Sequence, residues 1–211
     1  MERTPDPGAT MPLISILLLA AGASARMRGA DKLLEEINGK PLVRHLAQEA
    51  LGTGFPVLVT LPENRPKRVS ALQGLKLDMI LIEDAAEGMA MSLRSAVAAI
   101  PPTHAALVLL ADMPEICTSD LDILLAAFQR DPNRILRATT AEGVPGHPVL
   151  FPNWARAELL TLEGDIGAKP VLKAHTDAVR LVALPANHAT TDLDSPEDWA
   201  AWRKTQISSG A

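Results

Sequence analysis

The sequence has few of the residues that form disulfides or base-stacking surfaces. Among its 211 residues there is one cysteine, Cys117, no tyrosine, and only 3% aromatic residues. A single cysteine cannot form an intramolecular disulfide, which favours a reducing compartment. So few aromatic side chains give little support to the stacking platforms of single-strand-binding proteins. The composition therefore predicts a cytoplasmic protein that does not bind single-stranded nucleic acid.

An excess of positive charge is also lacking. Lys and Arg together number 20 and Asp and Glu 25, which gives a formal net charge of −5 at pH 7. A nucleic-acid interface usually needs a broad basic surface, so we expect no nucleic-acid partner. A local basic pocket for a small anion is still compatible with this charge.

No apolar run is long enough to cross a bilayer, which takes roughly 20 residues. The run at 13–21 precedes the small residues 22–25, and together they resemble the end of a secretory signal. However, Glu2 and Asp6 accompany Arg3, so the positive region that a signal needs is missing. We therefore expect no membrane association and a cytoplasmic location.

Apolar runs alternate with amphipathic stretches along the chain. The patterns predict strands at 14–20, 57–61, 79–82, 105–111, 135–138, 149–151 and 179–184, and helices at 41–51, 65–72, 91–100, 118–129, 154–162 and from Ser195 onward. Continuous apolar strands between helices indicate a mostly parallel sheet that is covered on both faces. We expect a disordered leader over 1–11, a single α/β domain over 12–204 and a frayed tail over 205–211.

A loop of small residues follows the first predicted strand at 20–27, with Lys32 close behind. Gly22 and its alanine neighbours would let a ligand approach the backbone closely, and turn amides can point at an anion. Arg26 and Lys32 add the positive charge that a triphosphate requires. The spacing fits neither the dinucleotide fingerprint nor the P-loop. The alternative interpretation is a tight turn flanked by surface cations.

Two carboxylates are candidates for a metal site. Asp112 directly follows the fourth predicted strand, where the ligand crevice of a parallel sheet lies. Asp194 precedes the last predicted helix and could complete the site, because Mg²⁺ prefers one or two carboxylates together with phosphate oxygens. Either residue could instead serve the local structure, Asp112 in a turn before Pro114 and Asp194 at the helix start.

One histidine lies in a loop shaped by glycine and proline, predicted over 140–148. His147 could donate a hydrogen bond to a phosphate or orient a substrate, although a lone histidine is more often structural. A second loop, at 164–169, could bring backbone amides and Lys169 to an anionic substrate. The histidines share no zinc-ligand spacing, and no nucleophile elbow is present.

Taken together and in order, these motifs resemble the molybdenum cofactor nucleotidyltransferase family, and within it the cytidylyltransferase branch. The resemblance runs from about residue 13 to residue 202, over the segments 19–27, 31–34, 39–42, 88–94, 110–114, 146–151, 164–168 and 192–198. It implies a three-layer α/β/α, Rossmann-like nucleotide-diphospho-sugar transferase fold with a mostly parallel sheet. The implied reaction transfers CMP from CTP to the phosphate of molybdopterin carrying molybdenum and releases pyrophosphate.

The resemblance also implies roles for individual residues. Catalysis would depend on Lys32, Asp112 and Arg26, and Mg²⁺ would be held by Asp112 and Asp194. Nucleotide binding would involve Ala20, Ala21, Gly22, Ala23, Ser24, Arg26, Lys32, Ser92 and His147. Ser92 would lie in a Gly-Met loop beside the nucleotide. The guanylyl branch usually has Gly-Gly where this chain has Ala21-Gly22, which favours cytidine.

Some residues depart from the family pattern, and two rival functions stay open. Arg28 stands where the family often has glycine, and Lys169 where it often has arginine. The first rival is nucleotidyl transfer with GTP or to another phosphorylated acceptor. The second is a non-catalytic carrier of the cofactor. The resemblance itself implies nucleotide and pterin ligands and transient contact with a hydroxylase of the xanthine dehydrogenase type.

Overall fold

A seven-stranded sheet forms the centre of the protein. The structure, a computed structural model, describes residues 13–83 and 88–209, so the predicted leader over 1–11 lies outside the described residues. The strands are β1 (Ile14–Leu19), β2 (Glu36–Ile37), β3 (Lys40–Pro41), β4 (Val57–Pro62), β5 (Asp78–Ile82), β6 (Ala105–Leu110), β7 (Ile135–Thr139), β8 (Pro145–Phe151) and β9 (Val179–Ala183). The large sheet has the order β5-β4-β1-β6-β8-β7-β9, and β2 and β3 form a separate small hairpin.

The sheet is mostly parallel, as the sequence predicts. β8 is the strand that runs antiparallel to both of its neighbours, β6 and β7. Pairings of β1 with β4 and with β6 are parallel, as are those of β4 with β5 and of β7 with β9. The chain proceeds from β1 outward to β4 and β5, and then returns to place β6 on the other side of β1. The point where the strand order reverses therefore lies between β1 and β6, which is where such sheets bind ligands.

Helices cover both faces of the sheet. They are α1 (Leu42–Gly52), α2 (Pro66–Leu72), α3 (Met89–Ala99), α4 (Thr118–Arg130), α5 (Arg156–Leu159), α6 (Lys169–Ala174) and α7 (Pro196–Ser209). One apolar core involves α1, α2, α4 and α7, and the other involves α3, α5 and α6. Because side chains alternate along a strand, Ile16 and Leu18 of β1 enter the first core while Leu17 and Leu19 enter the second. This confirms the three-layer α/β/α architecture.

The last third differs most from the prediction. The loop predicted over 140–148 is wrong beyond residue 144, because β8 begins at Pro145. The prolines of β8 are unusual, because a central strand of a sheet disfavours proline. They are tolerated because pairing with β6 covers only the last three residues of β8, and pairing with β7 is irregular near Thr139. The helix predicted over 154–162 is a 3-10 turn, Asn153–Ala155, followed by the single turn of α5.

The start of α3 and the end of α7 also differ from the predicted helix boundaries. α3 starts at Met89 rather than 91, so Ser92 lies in its first turns and not in a loop. α7 continues to Ser209, over part of the tail that is predicted to fray from 205, and residues 210 and 211 lie outside the described residues. Within the described part of the chain, no helix is both long and apolar enough to cross a membrane.

Candidate active site

Two adjoining cavities open at the carboxyl edge of the sheet, beside the point where the strand order reverses. The first has a volume of about 360 Å³ and the second about 330 Å³. Leu19, Met89, Leu110 and Asp165 line both cavities and form the wall between them. Of the residues predicted to bind nucleotide or metal, six line the first cavity: Ala21, Gly22, Ala23, Lys32, Ser92 and Asp112.

A cluster of four charged side chains lies beside the first cavity. Lys32 Nζ donates to Asp112 Oδ2 at 2.6 Å and to Asp194 Oδ1 at 2.5 Å. Arg26 Nη2 contacts the second oxygen of Asp194 at 2.6 Å. Burial works against the charge on Lys32, but the two carboxylates outweigh it and raise the pKa of Lys32 above its usual value. The structure thus brings into contact residues as distant in the sequence as Arg26 and Asp194, which lie 168 positions apart.

Local structure explains why these side chains meet. Lys32 begins a 3-10 turn, Lys32–Leu34, in which the Asp31 carboxylate accepts a hydrogen bond from the backbone N–H of Leu33 at 3.1 Å. Asp112 follows β6, and its backbone carbonyl accepts a hydrogen bond from the N–H of Leu193 at 3.1 Å. This bond ties the loop before α7 to the end of β6, so Asp112 and Asp194 reach the same lysine.

The carboxylates have the chemistry that a hard divalent cation needs. Asp112 Oδ1 is buried and has no hydrogen-bond partner among the described residues. A buried carboxylate oxygen without a partner is costly, so it is well suited to a cation. Within residues 13–83 and 88–209, no group of three or more His, Cys, Asp or Glu side chains is arranged to hold a metal. Asp112 and Asp194 would therefore need phosphate oxygens and water as further ligands, which is the usual pattern for Mg²⁺.

The loop after β1 exposes its backbone to the first cavity. A Cβ atom added to Gly22 would meet nothing within 4 Å, so the space beside it is open to a ligand. Ser24 adopts a left-handed conformation with φ of 55°. Ser24 is not among the residues that line the cavity, and its hydroxyl donates to Asp31 Oδ1 at 3.4 Å. Ala20 is also outside the lining, and its backbone carbonyl is bound from behind the loop.

His147 lies apart from the predicted nucleotide-binding residues. It is on β8 and lines the second cavity together with Arg137 and Lys169. Burial lowers the pKa of His147 to about 4, with the positive charge of Arg137 as the next cause and Asp112 acting in the opposite direction. At neutral pH the ring is therefore uncharged, so one of its nitrogens donates a hydrogen bond and the other accepts one.

The second cavity also contains an acid that the sequence did not single out. Asp192 lines it, and burial together with the nearby charges of Asp112 and Asp194 raises the pKa of Asp192. Burial and the two neighbouring carboxylates thus disfavour the ionised form of Asp192.

Two basic residues had no predicted role. Arg28 pairs with Glu197 of α7 at 2.5 Å, and both side chains are exposed. Arg68, on α2, is fully buried and holds the loop after β1 from behind. Sequence reasoning missed Arg68, although its spacing of four residues from the buried Leu72 places both on one helix face.

The chain was compared with known proteins. The family model described as the MobA-like NTP transferase domain matches residues 16–179. The chain belongs to this family. The family is described as an NTP transferase domain, and the fold and the charged cluster of this chain suit nucleotidyl transfer.

Individual relatives of this MobA-like protein carry different names. A "Nicotine blue oxidoreductase" from Paenarthrobacter nicotinovorans is 28% identical over 89% of this chain and 95% of its own length. A "Molybdenum cofactor guanylyltransferase" from Pseudomonas aeruginosa is 33% identical over 61% of this chain, and the match covers 63% of that relative's length. A crystal structure from Mycobacterium sp. strain JC1, of a homologue of a Mycobacterium tuberculosis protein, has a TM-score of 0.80 at 25% identity and covers 92% of this chain and 96% of its own.

Proposed function

We propose that this protein is a magnesium-dependent cytidylyltransferase that transfers CMP from CTP to the phosphate of molybdopterin carrying molybdenum. The observation that carries this proposal is the cluster of Lys32, Asp112 and Asp194 beside the first cavity, with one Asp112 oxygen buried and without a hydrogen-bond partner among the described residues. A site of this kind can bind a divalent cation and a polyphosphate side by side. Family membership and the guanylyltransferase relative support the same class of reaction.

The reaction needs positioning and charge neutralisation rather than covalent help from the protein. A phosphate oxygen of the acceptor attacks the α-phosphorus of the nucleotide in line, and pyrophosphate leaves. The acceptor phosphate is already ionised near pH 7, so the site needs no general base. Mg²⁺, when bound by Asp112 and Asp194, would neutralise charge on the transferring phosphoryl group.

Lys32 and Arg26 contribute fixed positive charge to this site. In the structure they pair with Asp112 and Asp194, so the cluster has two cations and two carboxylates and is balanced. A divalent cation bound to the same carboxylates would make the cluster positive and free both basic side chains to contact a triphosphate. We infer that Lys32 and Arg26 hold the triphosphate, and that Asp112 and Asp194 hold the metal.

The two cavities suit the two substrates. We place the nucleotide in the first cavity, where the backbone of Ala21, Gly22 and Ala23 is open to a ligand. The acceptor belongs in the second cavity, where Arg137 and Lys169 offer charges that match an anionic pterin phosphate. Because the two cavities share a wall, we expect the acceptor phosphate and the nucleotide's α-phosphate to meet where the cavities adjoin.

The choice of CTP rests on Ala21. Its side chain is buried at the edge of the first cavity, and its methyl group reduces the space that the glycine of the guanylyl branch would leave for a base. GTP is the rival nucleotide, because the Pseudomonas aeruginosa relative is named a guanylyltransferase. Replacement of Ala21 by glycine should therefore increase turnover with GTP relative to CTP.

The decisive experiment incubates the protein with each of the four nucleoside triphosphates, Mg²⁺ and molybdenum-loaded molybdopterin, and follows pyrophosphate. We expect release with CTP and none when the acceptor or the metal is omitted. Release with GTP alone would overturn the cytidylyl assignment. Release that requires a sugar phosphate instead of the pterin would identify a different acceptor. Tight nucleotide binding without any release would indicate a non-catalytic carrier.

A further inference from the structure

One fully buried charged side chain, Arg68, supports the loop after β1 from the side opposite the cavity. Its Nη1 donates to the carbonyls of Ala20 at 2.6 Å and Gly22 at 2.9 Å, and its Nη2 donates to the hydroxyl of Ser24 at 3.0 Å. None of the Arg68 surface is exposed. A buried guanidinium must have its donors satisfied, so these contacts fix the loop relative to α2.

The same guanidinium also holds the far end of the loop. Arg68 Nε and Nη2 each donate to one oxygen of Asp31 at 2.8 Å, in the two-pronged geometry that arginine favours with carboxylates. Burial opposes the charge on Asp31, but the hydrogen bond and charge of Arg68 outweigh it and lower the pKa of Asp31. Asp31 in turn accepts the N–H of Leu33 at the start of the turn that carries Lys32. Arg68 therefore connects residues 20–24 with the position of Lys32.

The geometry of the peptide bond gives these contacts a consequence for the cavity. In a trans peptide the C=O and the following N–H point in opposite directions. Since the carbonyls of Ala20 and Gly22 point at Arg68, the N–H groups of Ala21 and Ala23 point away from it. Ala21 and Ala23 both line the first cavity. The contacts of Arg68 thus determine that the N–H groups of Ala21 and Ala23 are the backbone groups that point away from the core.

We propose that Arg68 is a positioning residue for nucleotide recognition: it holds the loop over 20–31 so that its amides and Lys32 face one ligand. This inference rests on the proposed function, which places the nucleotide in the first cavity. Arg68 itself lies behind the loop and touches no substrate.

Lysine cannot replace this arginine, because an ammonium group lacks the planar fork that reaches Asp31 and two carbonyls together. We expect Arg68→Lys to weaken CTP binding at least about tenfold, since several charge-assisted hydrogen bonds are lost. Arg44 is a matched control: from α1 its Nη1 donates to the carbonyls of Ala71 and Gln73, at 2.7 and 3.0 Å, at the other end of α2. Arg44→Lys should change CTP affinity less than about twofold, because these contacts do not reach the loop.

The test combines calorimetric titration of CTP with Mg²⁺ and hydrogen exchange of the peptide over 20–33 without nucleotide. Both are measured below the thermal transition of each variant, where circular dichroism shows the native fold. Arg68→Lys should weaken binding and speed exchange in this peptide, whereas a purely structural role would lower the thermal midpoint and leave both unchanged. Wild-type affinity and wild-type exchange in Arg68→Lys would overturn the proposal.

A second variant covers the case in which Arg68→Lys fails to fold. Asp31→Asn keeps the arginine but removes the charge from its partner, so it should speed exchange over 20–33 in the same way. Unchanged exchange in folded Asp31→Asn would contradict the proposal. Loop exchange needs no nucleotide, so a wild-type protein that releases no pyrophosphate with any nucleoside triphosphate would overturn the proposed function and leave the role of Arg68 to be decided by exchange.

Discussion

The two cavities at the carboxyl edge share a wall but hold their charges in different ways. In the first, Lys32 is largely buried and is paired with two carboxylates from distant parts of the chain. In the second, Lys169 is exposed on α6, and His147 is kept uncharged by burial and by Arg137. The charges of the first cavity are therefore matched in pairs. A bound metal and a polyphosphate could replace these pairings, the metal on the carboxylates and the polyphosphate on the lysine. The second cavity is lined by the cations Lys169 and Arg137 and by a neutral histidine.

The largest effect should come from the carboxylate at the centre of the first cavity. Asp112→Asn should reduce pyrophosphate release by about a thousandfold or more and keep the fold, because a metal ligand acts on the transition state. Asp122→Asn, on the exposed side of α4, is the matched control and should keep wild-type activity. Near-normal turnover in Asp112→Asn, measured with saturating CTP and Mg²⁺, would contradict the metal assignment.

A reciprocal pair of lysine variants tests whether the two cavities bind different substrates. Lys32→Met should raise the KM for CTP by up to about a hundredfold, and Lys169→Met should raise the KM for the acceptor about tenfold while leaving that for CTP unchanged. Lys173→Met, on the exposed face of the same α6 helix, serves as the control for Lys169. An equal effect of Lys169→Met on both substrates would show that the cavities do not bind them separately.

The neutral histidine of the second cavity predicts how stability depends on pH. The folded-state pKa of His147 is about 4, below its ordinary value of 6.5. As the pH falls, the unfolded chain therefore protonates this histidine before the folded protein does. Stability must then fall as the pH falls, by about 2 kcal/mol from this group between pH 7 and pH 5. His147→Gln should lessen that loss in chemical denaturation at the two pH values. An identical pH dependence in the variant would mean that His147 is not held neutral.

The smallest effect is expected at Arg28, which follows the short turn Ala25–Met27 after β1. Its exposed pair with Glu197 contributes less than about 1 kcal/mol, and its φ of 52° is in the left-handed region that glycine tolerates better. Arg28→Gly should therefore unfold at nearly the wild-type denaturant concentration and retain full turnover. Arg28→Ala loses the pair but keeps the strain, so it should be the less stable of the two. Reduced CTP affinity in both would assign Arg28 to the phosphates after all.

The sequence predicted most of the layered core and the neighbourhood of Asp112, but less of the last third. Apolar runs such as the one in β6 are local and continuous, so their assignment needs no distant contact. The prolines of β8 were misleading, because they are tolerated only where its pairing with β6 stops and its pairing with β7 becomes irregular. Arg68 was missed for a related reason: its partners are two backbone carbonyls, a hydroxyl and a carboxylate of the loop after β1, which lies far from Arg68 in the sequence.

Local patterns in the sequence are enough to predict the α/β class, the loop of small residues after β1 and the acids at the ends of predicted elements. They do not show that Lys32 joins Asp112 to Asp194, that His147 lines a second cavity or that Arg28 pairs with α7. Which charge finds which partner depends on the order of the strands and on the crossing of loops. A linear pattern of charges does not contain that information, because electrostatic pairing acts through space and not along the chain.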